Sequence, residues 1–130
     1  MKIFIIDDDP LSIFVTKTML SLKDATHEIV TFPSAEDALA AFQENQEAFT
    51  PDLVFLDLNM PEIDGWGFLE ALNRLGLPLQ QHCRLYILTS SVDSMDIAKG
   101  KDYPVVTGVM QKPLRSEEVD TIFAQCALQA

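Results

Sequence analysis

The sequence is poor in the residues that several common classes of protein depend on. Only two cysteines, Cys83 and Cys126, occur in 130 residues, too few for a disulfide framework or a zinc site built on cysteines. Lys and Arg number 9 against 20 Asp and Glu, which gives a formal charge of −11. Nucleic acids and anionic membranes attract proteins mainly through basic residues, so neither is an expected partner.

Long hydrophobic runs are also absent. The first apolar stretch, residues 3–6, is too short for a signal peptide and ends at three aspartates. No stretch approaches the roughly 20 apolar residues that a membrane-spanning helix needs. Because 130 residues fit one domain of ordinary size, we expect a single domain in the reducing cytoplasm.

Short apolar runs alternate strictly with helical patterns along the whole chain. The runs predict strands at residues 2–6, 27–32, 53–56, 85–88 and 105–110. A helical pattern follows each run; the fourth, residues 92–101, has no apolar stripe and contains Gly100. The first helix is predicted to start with Asp9 as N-cap and Pro10 as its first residue. Its apolar pattern comprises Leu11, Phe14, Val15, Thr18, Met19 and Leu22. The alternation predicts an α/β fold, a doubly wound parallel sheet of five strands in the order 2-1-3-4-5.

Polar residues stand at the carboxyl ends of these apolar runs. Asp7 and Asp8 follow the first strand, Asp57 follows the third, Thr89 ends the fourth and Lys112 follows the fifth. In a parallel sheet these ends lie at one edge, where ligands bind at the point at which the strand order reverses. We therefore expect these five side chains to converge there.

Three carboxylates in one crevice repel each other unless a cation is present. An oxygen-only ligand set favours Mg²⁺, and the charges of three aspartates are cancelled by one such ion together with Lys112. A pocket of this kind suits a phosphoryl group. Asp57 is then the expected nucleophile, forming an acyl phosphate.

The residues at the strand ends form motifs that resemble the receiver domain of two-component response regulators, close to the single-domain chemotaxis type. The motifs are Ile6-Asp7-Asp8-Asp9-Pro10, the run from Leu56-Asp57 through Asn59-Met60-Pro61 to Asp64-Gly65, Leu88-Thr89-Ser90, and Lys112-Pro113. The resemblance covers residues 1–130. It implies the flavodoxin-like receiver fold, one receiver domain and no output domain.

The resemblance also implies a role for each site residue. Asp57 accepts a phosphoryl group from a sensor histidine kinase or a histidine phosphotransfer protein. Asp8, Asp57 and the backbone carbonyl of Asn59 bind Mg²⁺, and Asp7 acts through a metal-bound water. Thr89 and Lys112 contact the phosphoryl group, Asn59 and Ser91 tune its hydrolysis, and the bond before Pro113 is cis.

One position departs from the family pattern. Receiver domains usually carry an aromatic residue three positions before the lysine, where this chain has Val109. Valine has one small χ1 rotor and cannot bury a ring. The phosphorylation chemistry does not depend on this position. The usual transmission of the signal to a downstream target, through the fourth helix, fifth strand and fifth helix, does depend on it.

Two other functions stay open on the sequence alone. A degenerate receiver would bind partners without being phosphorylated, and Val109 keeps that interpretation open. A Mg²⁺-dependent phosphatase or phosphotransferase with an aspartyl nucleophile would need a second acid two residues later, where the sequence has Asn59. We expect a signalling module whose phosphorylation alters protein–protein contacts. Its only chemistry would be its own phosphorylation and dephosphorylation.

Overall fold

A computed structural model describes residues 1–45, 50–76, 83–90 and 92–128. Strands and helices alternate through these residues, as the sequence predicts. In chain order the elements are β1 (Lys2–Ile6), α1 (Pro10–Lys23), β2 (Glu28–Phe32), α2 (Ala35–Asn45), β3 (Leu53–Leu56), α3 (Gly65–Arg74), β4 (Arg84–Thr89), α4 (Ser94–Gly100), β5 (Val106–Gln111) and α5 (Ser116–Leu128). The predicted rate-tuning residue Ser91 lies outside the described residues.

The strands form one parallel sheet in the order β2-β1-β3-β4-β5, which confirms the predicted topology. The central strands are apolar at consecutive positions because helices cover both faces of the sheet. The strand order reverses between β1 and β3, where Ile6 lies opposite Leu56. The residues that follow these two, Asp7 and Asp57, therefore leave the sheet side by side.

The core consists of two layers, one on each face of the sheet. On one face, Phe42 of α2 and Phe68 of α3 are buried with Phe4 of β1, and the rings of Phe4 and Phe42 meet edge to face at 5.5 Å. On the other face, Leu20 of α1 and Ile122 of α5 are buried against the sheet. Both layers pack against the central strands, and the loops of interest follow the carboxyl ends of these strands.

Aspartate side chains cap the N-termini of helices that begin at the carboxyl edge of the sheet. Asp9 caps α1, accepting a hydrogen bond from the Leu11 N–H, and Pro10 follows it as predicted. Asp64 caps α3 through the Gly67 N–H at 2.8 Å. The fourth helix is shorter than the predicted 92–101, since it begins after its cap Asp93 and ends at Gly100. No helix among the described residues is long and apolar enough to cross a membrane.

In the apolar pattern predicted for α1, Met19 packs against the core, but the other five residues are exposed. Leu11, Phe14 and Leu22 are 69%, 66% and 76% exposed, whereas Thr16 and Leu20 are buried. Two of the inward positions, Ser12 and Thr16, are polar, so the inner face has too few apolar residues to stand out in the sequence. The apolar stripe instead faces outward.

The approach of α3 to the end of β3 leaves no room for a side chain at Gly65. Its N–H donates to the Leu58 carbonyl at 3.0 Å. A Cβ atom there would lie 2.6 Å from the Asp57 carbonyl oxygen and 2.9 Å from the Leu58 Cα. These are backbone atoms that no rotamer change can move. Glycine at this position therefore permits the close approach of α3 to the loop that follows Asp57.

We predict that Gly65→Ala destabilises the fold by about 1–3 kcal/mol, the usual cost of overpacking. Gly67→Ala is the matched control, because the nearest atom to its Cβ would be the Ile63 Cγ2 at 3.0 Å, the end of a movable side chain. Chemical denaturation should show Gly67→Ala within about 1 kcal/mol of the wild type. Equal stability of the two variants would contradict this packing argument.

Candidate functional site

Three carboxylates converge where the strand order reverses. Asp7 and Asp8 follow β1 and Asp57 follows β3, and one oxygen from each lies within 4.8 Å of the others. Asp7 and Asp57 are only 3% and 5% exposed, whereas Asp8 is open to solvent. The sheet topology thus brings together the acidic residues that the sequence predicts as a group.

Lys112 closes the opposite side of this cluster. It follows β5, and its peptide bond to Pro113 is cis, the isomer that the resemblance implies. Its Nζ lies 2.8 Å from Asp7 Oδ2 and 3.5 Å from Asp57 Oδ1. The lysine therefore pairs with both buried carboxylates, and more closely with Asp7.

Thr89 and Asn59 complete the rim of the site. Thr89 is the last residue of β4 and is fully buried. Its carbonyl accepts the Lys112 N–H at 2.7 Å, which ties the loop after β5 to β4. Asn59 is exposed, and its Nδ2 lies 3.5 Å from the Thr89 Oγ1. The threonine hydroxyl thus lies beside Asn59, and the threonine carbonyl is bonded to the backbone of Lys112.

Ser12 belongs to the site and was missed by the sequence reasoning. Its hydroxyl donates to Asp7 Oδ2 at 2.7 Å from the first turn of α1. The only signal in the sequence is a polar residue in the helical turn after the acidic pair. That signal was hidden because the apolar pattern placed the wrong side of α1 against the sheet.

The site carries more negative than positive charge. Burial and, after it, the neighbouring Asp7 carboxylate raise the pKa of Asp57 from its usual 3.8 to about 6. Lys112 and the Asn59 backbone N–H oppose this rise in pKa but do not cancel it. The protein alone therefore leaves the ionised form of Asp57 poorly compensated.

This excess negative charge fits a hard divalent cation. Among the described residues, the cluster offers three carboxylates and no sulfur or imidazole ligand, a donor set that suits Mg²⁺. Bound at these oxygens, a cation would relieve the repulsion that raises the Asp57 pKa.

Val109 lies on β5 opposite Ile87. It is partly buried against α4, where a Cβ at Gly100 would lie 3.4 Å from its Cγ2. A groove of about 200 Å³ between α4 and β5 is bordered by Ile97, Gly100, Val106, Gly108 and Val109 among others. The small side chain at position 109 thus leaves open space where a ring would lie.

The sequence of the chain matches one protein family over nearly its whole length. The family model described as "Response regulator receiver domain" matches residues 3–124. The chain belongs to the response regulator receiver domains. This receiver domain is 30% identical over 125 residues to the two-component response regulator ARR11 of Arabidopsis thaliana, covering 95% of the chain and 22% of that protein. The chain thus spans about a fifth of the length of this curated relative.

Solved structures agree with the family assignment. A two-component response regulator from Cytophaga hutchinsonii superposes with a TM-score of 0.90 at 25% identity, covering 98% of this chain and 96% of that one. A response regulator receiver protein from Dyadobacter fermentans gives a TM-score of 0.83 at 28% identity, covering 98% of each chain. The receiver domain is a signalling module, and such domains interact with histidine kinases or phosphotransfer proteins.

We predict that Asp57→Asn stabilises the metal-free receiver domain by roughly 1–2 kcal/mol at neutral pH. A carboxyl whose pKa is higher in the folded protein than its usual 3.8 destabilises the fold once the pH exceeds both values. The gain should therefore be full above pH about 6 and disappear as the pH falls towards 3.8.

Urea denaturation in the presence of a chelator measures this gain at several pH values. Asp9→Asn is the control, because asparagine caps a helix about as well as aspartate and position 9 lies outside the cluster. It should leave the stability nearly unchanged. A neutral-pH loss of stability in Asp57→Asn would show that the carboxylates are not in electrostatic conflict.

Proposed function

We propose that this receiver domain accepts a phosphoryl group on Asp57 from a phosphohistidine of a sensor histidine kinase or a histidine phosphotransfer protein. The observation that carries the proposal is the convergence of Asp7, Asp8 and Asp57 with Lys112 at one edge of the sheet. A cluster of acids, two of them buried, next to a lysine suits the binding of a cation and a phosphoryl group together.

In the proposed step, an Asp57 carboxylate oxygen attacks phosphorus. An O–P bond forms, and the P–N bond of the phosphohistidine breaks. Its electron pair returns to the imidazole, which takes a proton from solvent. The product is an acyl phosphate on Asp57, which water later hydrolyses to restore the carboxylate. The step requires Asp57 to be ionised, although burial disfavours that form.

Mg²⁺ fits the donor set, with Asp8, Asp57 and the Asn59 carbonyl as ligands and Asp7 contributing charge. When bound, it supplies positive charge that offsets the negative charge on the transferred oxygens. The same positive charge would favour the ionised form of Asp57 and lower its pKa.

Lys112 and Thr89 would hold the phosphoryl oxygens. Lys112 lies 3.5 Å from Asp57, so a small movement of its flexible side chain would bring its ammonium to a group attached there. Thr89 would offer its hydroxyl from the end of β4. Asn59, beside the phosphoacceptor, and Ser91 would set the access of water and hence the lifetime of the acyl phosphate.

The phosphorylated state would be read by a downstream protein at the face formed by α4, β5 and α5. Met95 and Ile97 of α4 are 79% and 45% exposed, and the groove beside Val109 lies next to them. Phosphorylation would shift an existing equilibrium between two arrangements of this face.

The direct test is labelling with acetyl phosphate and Mg²⁺, followed by intact mass. We predict the mass gain of one phosphoryl group in the wild type and none in Asp57→Asn. Asp64→Asn is the matched control, because this carboxylate belongs to the same loop but caps α3. It should be labelled like the wild type. Labelling of Asp57→Asn to the wild-type level would exclude Asp57 as the acceptor.

The exposed apolar side of α1 is the surface we propose for docking of the phosphodonor protein. It consists of Leu11, Phe14, Val15 and Leu22. Because α1 begins directly after the acidic pair, a protein that brings an imidazole to Asp57 must lie over the start of this helix. Exposed apolar patches of this kind mark interaction surfaces, and this one adjoins the mouth of the site.

We predict that Phe14→Ala slows phosphorylation by a phosphohistidine protein roughly tenfold, the scale expected of an aromatic anchor. Its labelling by acetyl phosphate should be unchanged, because a small donor needs no docking surface. Met95→Ala is the control, because Met95 is also well exposed but lies on the opposite face of the sheet. Equal slowing with both donors would mean that Phe14 affects the site itself.

A further inference from the structure

The Asp7 carboxylate is buried and receives three hydrogen bonds from the protein. Ser12 and Lys112 both donate to Oδ2, at 2.7 Å and 2.8 Å. The Asp9 N–H donates to Oδ1 at 3.0 Å. A buried carboxylate needs such donors, since an uncompensated one is costly. Asp7 Oδ2 therefore has a second donor, Ser12, besides Lys112.

The proposed function makes a conflicting demand on Lys112. In the structure its ammonium is closest to Asp7, 2.8 Å from Oδ2, and lies 3.5 Å from Asp57 Oδ1. A phosphoryl group on Asp57 would draw the ammonium towards itself, and the bond from Lys112 to Asp7 would lengthen. The charged donor to Asp7 Oδ2 would then be weaker while Asp7 is still buried, and that change opposes phosphorylation.

Ser12 is placed to compensate for this change. Its hydroxyl reaches the same oxygen from the first turn of α1, whose start is fixed by the Asp9 cap and Pro10. The position of Ser12 does not depend on the lysine, and a hydroxyl hydrogen turns freely towards its acceptor. Asp7 Oδ2 would therefore keep one donor when Lys112 moves.

We infer that Ser12 is a positioning residue for phosphoryl binding: it satisfies Asp7 so that Lys112 is released to the group on Asp57. This inference rests on the proposed function. Without the hydroxyl, Lys112 would be the only donor to Asp7 Oδ2 and would be held there more tightly. A purely structural Ser12, which fastened α1 to β1, would instead affect every ligand of the site alike.

The experiment compares two ligands on Ser12→Ala. Beryllium fluoride is a phosphoryl mimic that would contact Lys112 under the proposed function. It is titrated in excess Mg²⁺ and followed by ¹⁹F NMR, and Mg²⁺ alone is titrated by calorimetry. We predict about tenfold weaker beryllium fluoride binding, the scale of one hydrogen bond to a charged group, with Mg²⁺ affinity within about twofold of the wild type. Ser12→Thr keeps the hydroxyl and should bind both ligands like the wild type.

Ser21→Ala is the matched control, a serine-to-alanine change on the same helix far from the carboxylates. It should leave both affinities unchanged. Unaltered beryllium fluoride binding in Ser12→Ala would overturn the inference, and so would a parallel loss of both affinities. If the wild type itself failed to bind beryllium fluoride, the proposed function would fall, and the role of Ser12 with it.

Discussion

The repulsion among three carboxylates, opposed among the described residues by the ammonium group of Lys112, is the constraint on which this structure depends. Asp7 and Asp57 are buried, and together with Asp8 they place oxygens within 4.8 Å of one another. Lys112 is the cation that pairs with both buried acids. The fold sustains this crowding because β1, β3 and β4 are buried on both faces and fixed by two apolar layers. The stability of those layers offsets the electrostatic cost of the site, which is relieved when a cation binds.

Most of the fold and much of the site follow from simple sequence patterns. Strands buried on both faces appear as unbroken apolar runs, such as Leu53–Leu56, and a polar residue directly after such a run marks the ligand edge of the sheet. The rotation of α1 could not be predicted in this way. Its inner face includes Ser12 and Thr16, so the hydrophobic pattern identified the outer face instead. The bond from Ser12 to Asp7 depends on that rotation and was hidden with it.

Because of the orientation of α1 about its axis, one side of the helix contacts the acidic cluster and the other side faces solvent. Ser12 points inward and contacts the acidic cluster, while Phe14 and Leu11 point outward from the same turns. A protein that docks on the outer side would therefore contact the same helix that donates a hydrogen bond to Asp7 from its inner side. On the opposite face of the sheet, Val109 and Gly100 leave a groove beside the exposed residues of α4. Exposed apolar residues therefore lie on both faces of the sheet, on α1 and on α4.

Thermal unfolding in MgCl₂, compared with NaCl of equal ionic strength, tests the central electrostatic claim most directly. A ligand that binds only the folded chain stabilises it by about 2.7 kcal/mol at a concentration one hundred times its Kd. The account predicts a rise in unfolding temperature that saturates with Mg²⁺ as expected for one site and is reduced in Asp8→Asn. Superimposable melting curves in the two salts would contradict it, because a pocket of crowded acids that gains nothing from a divalent cation is not the site described here.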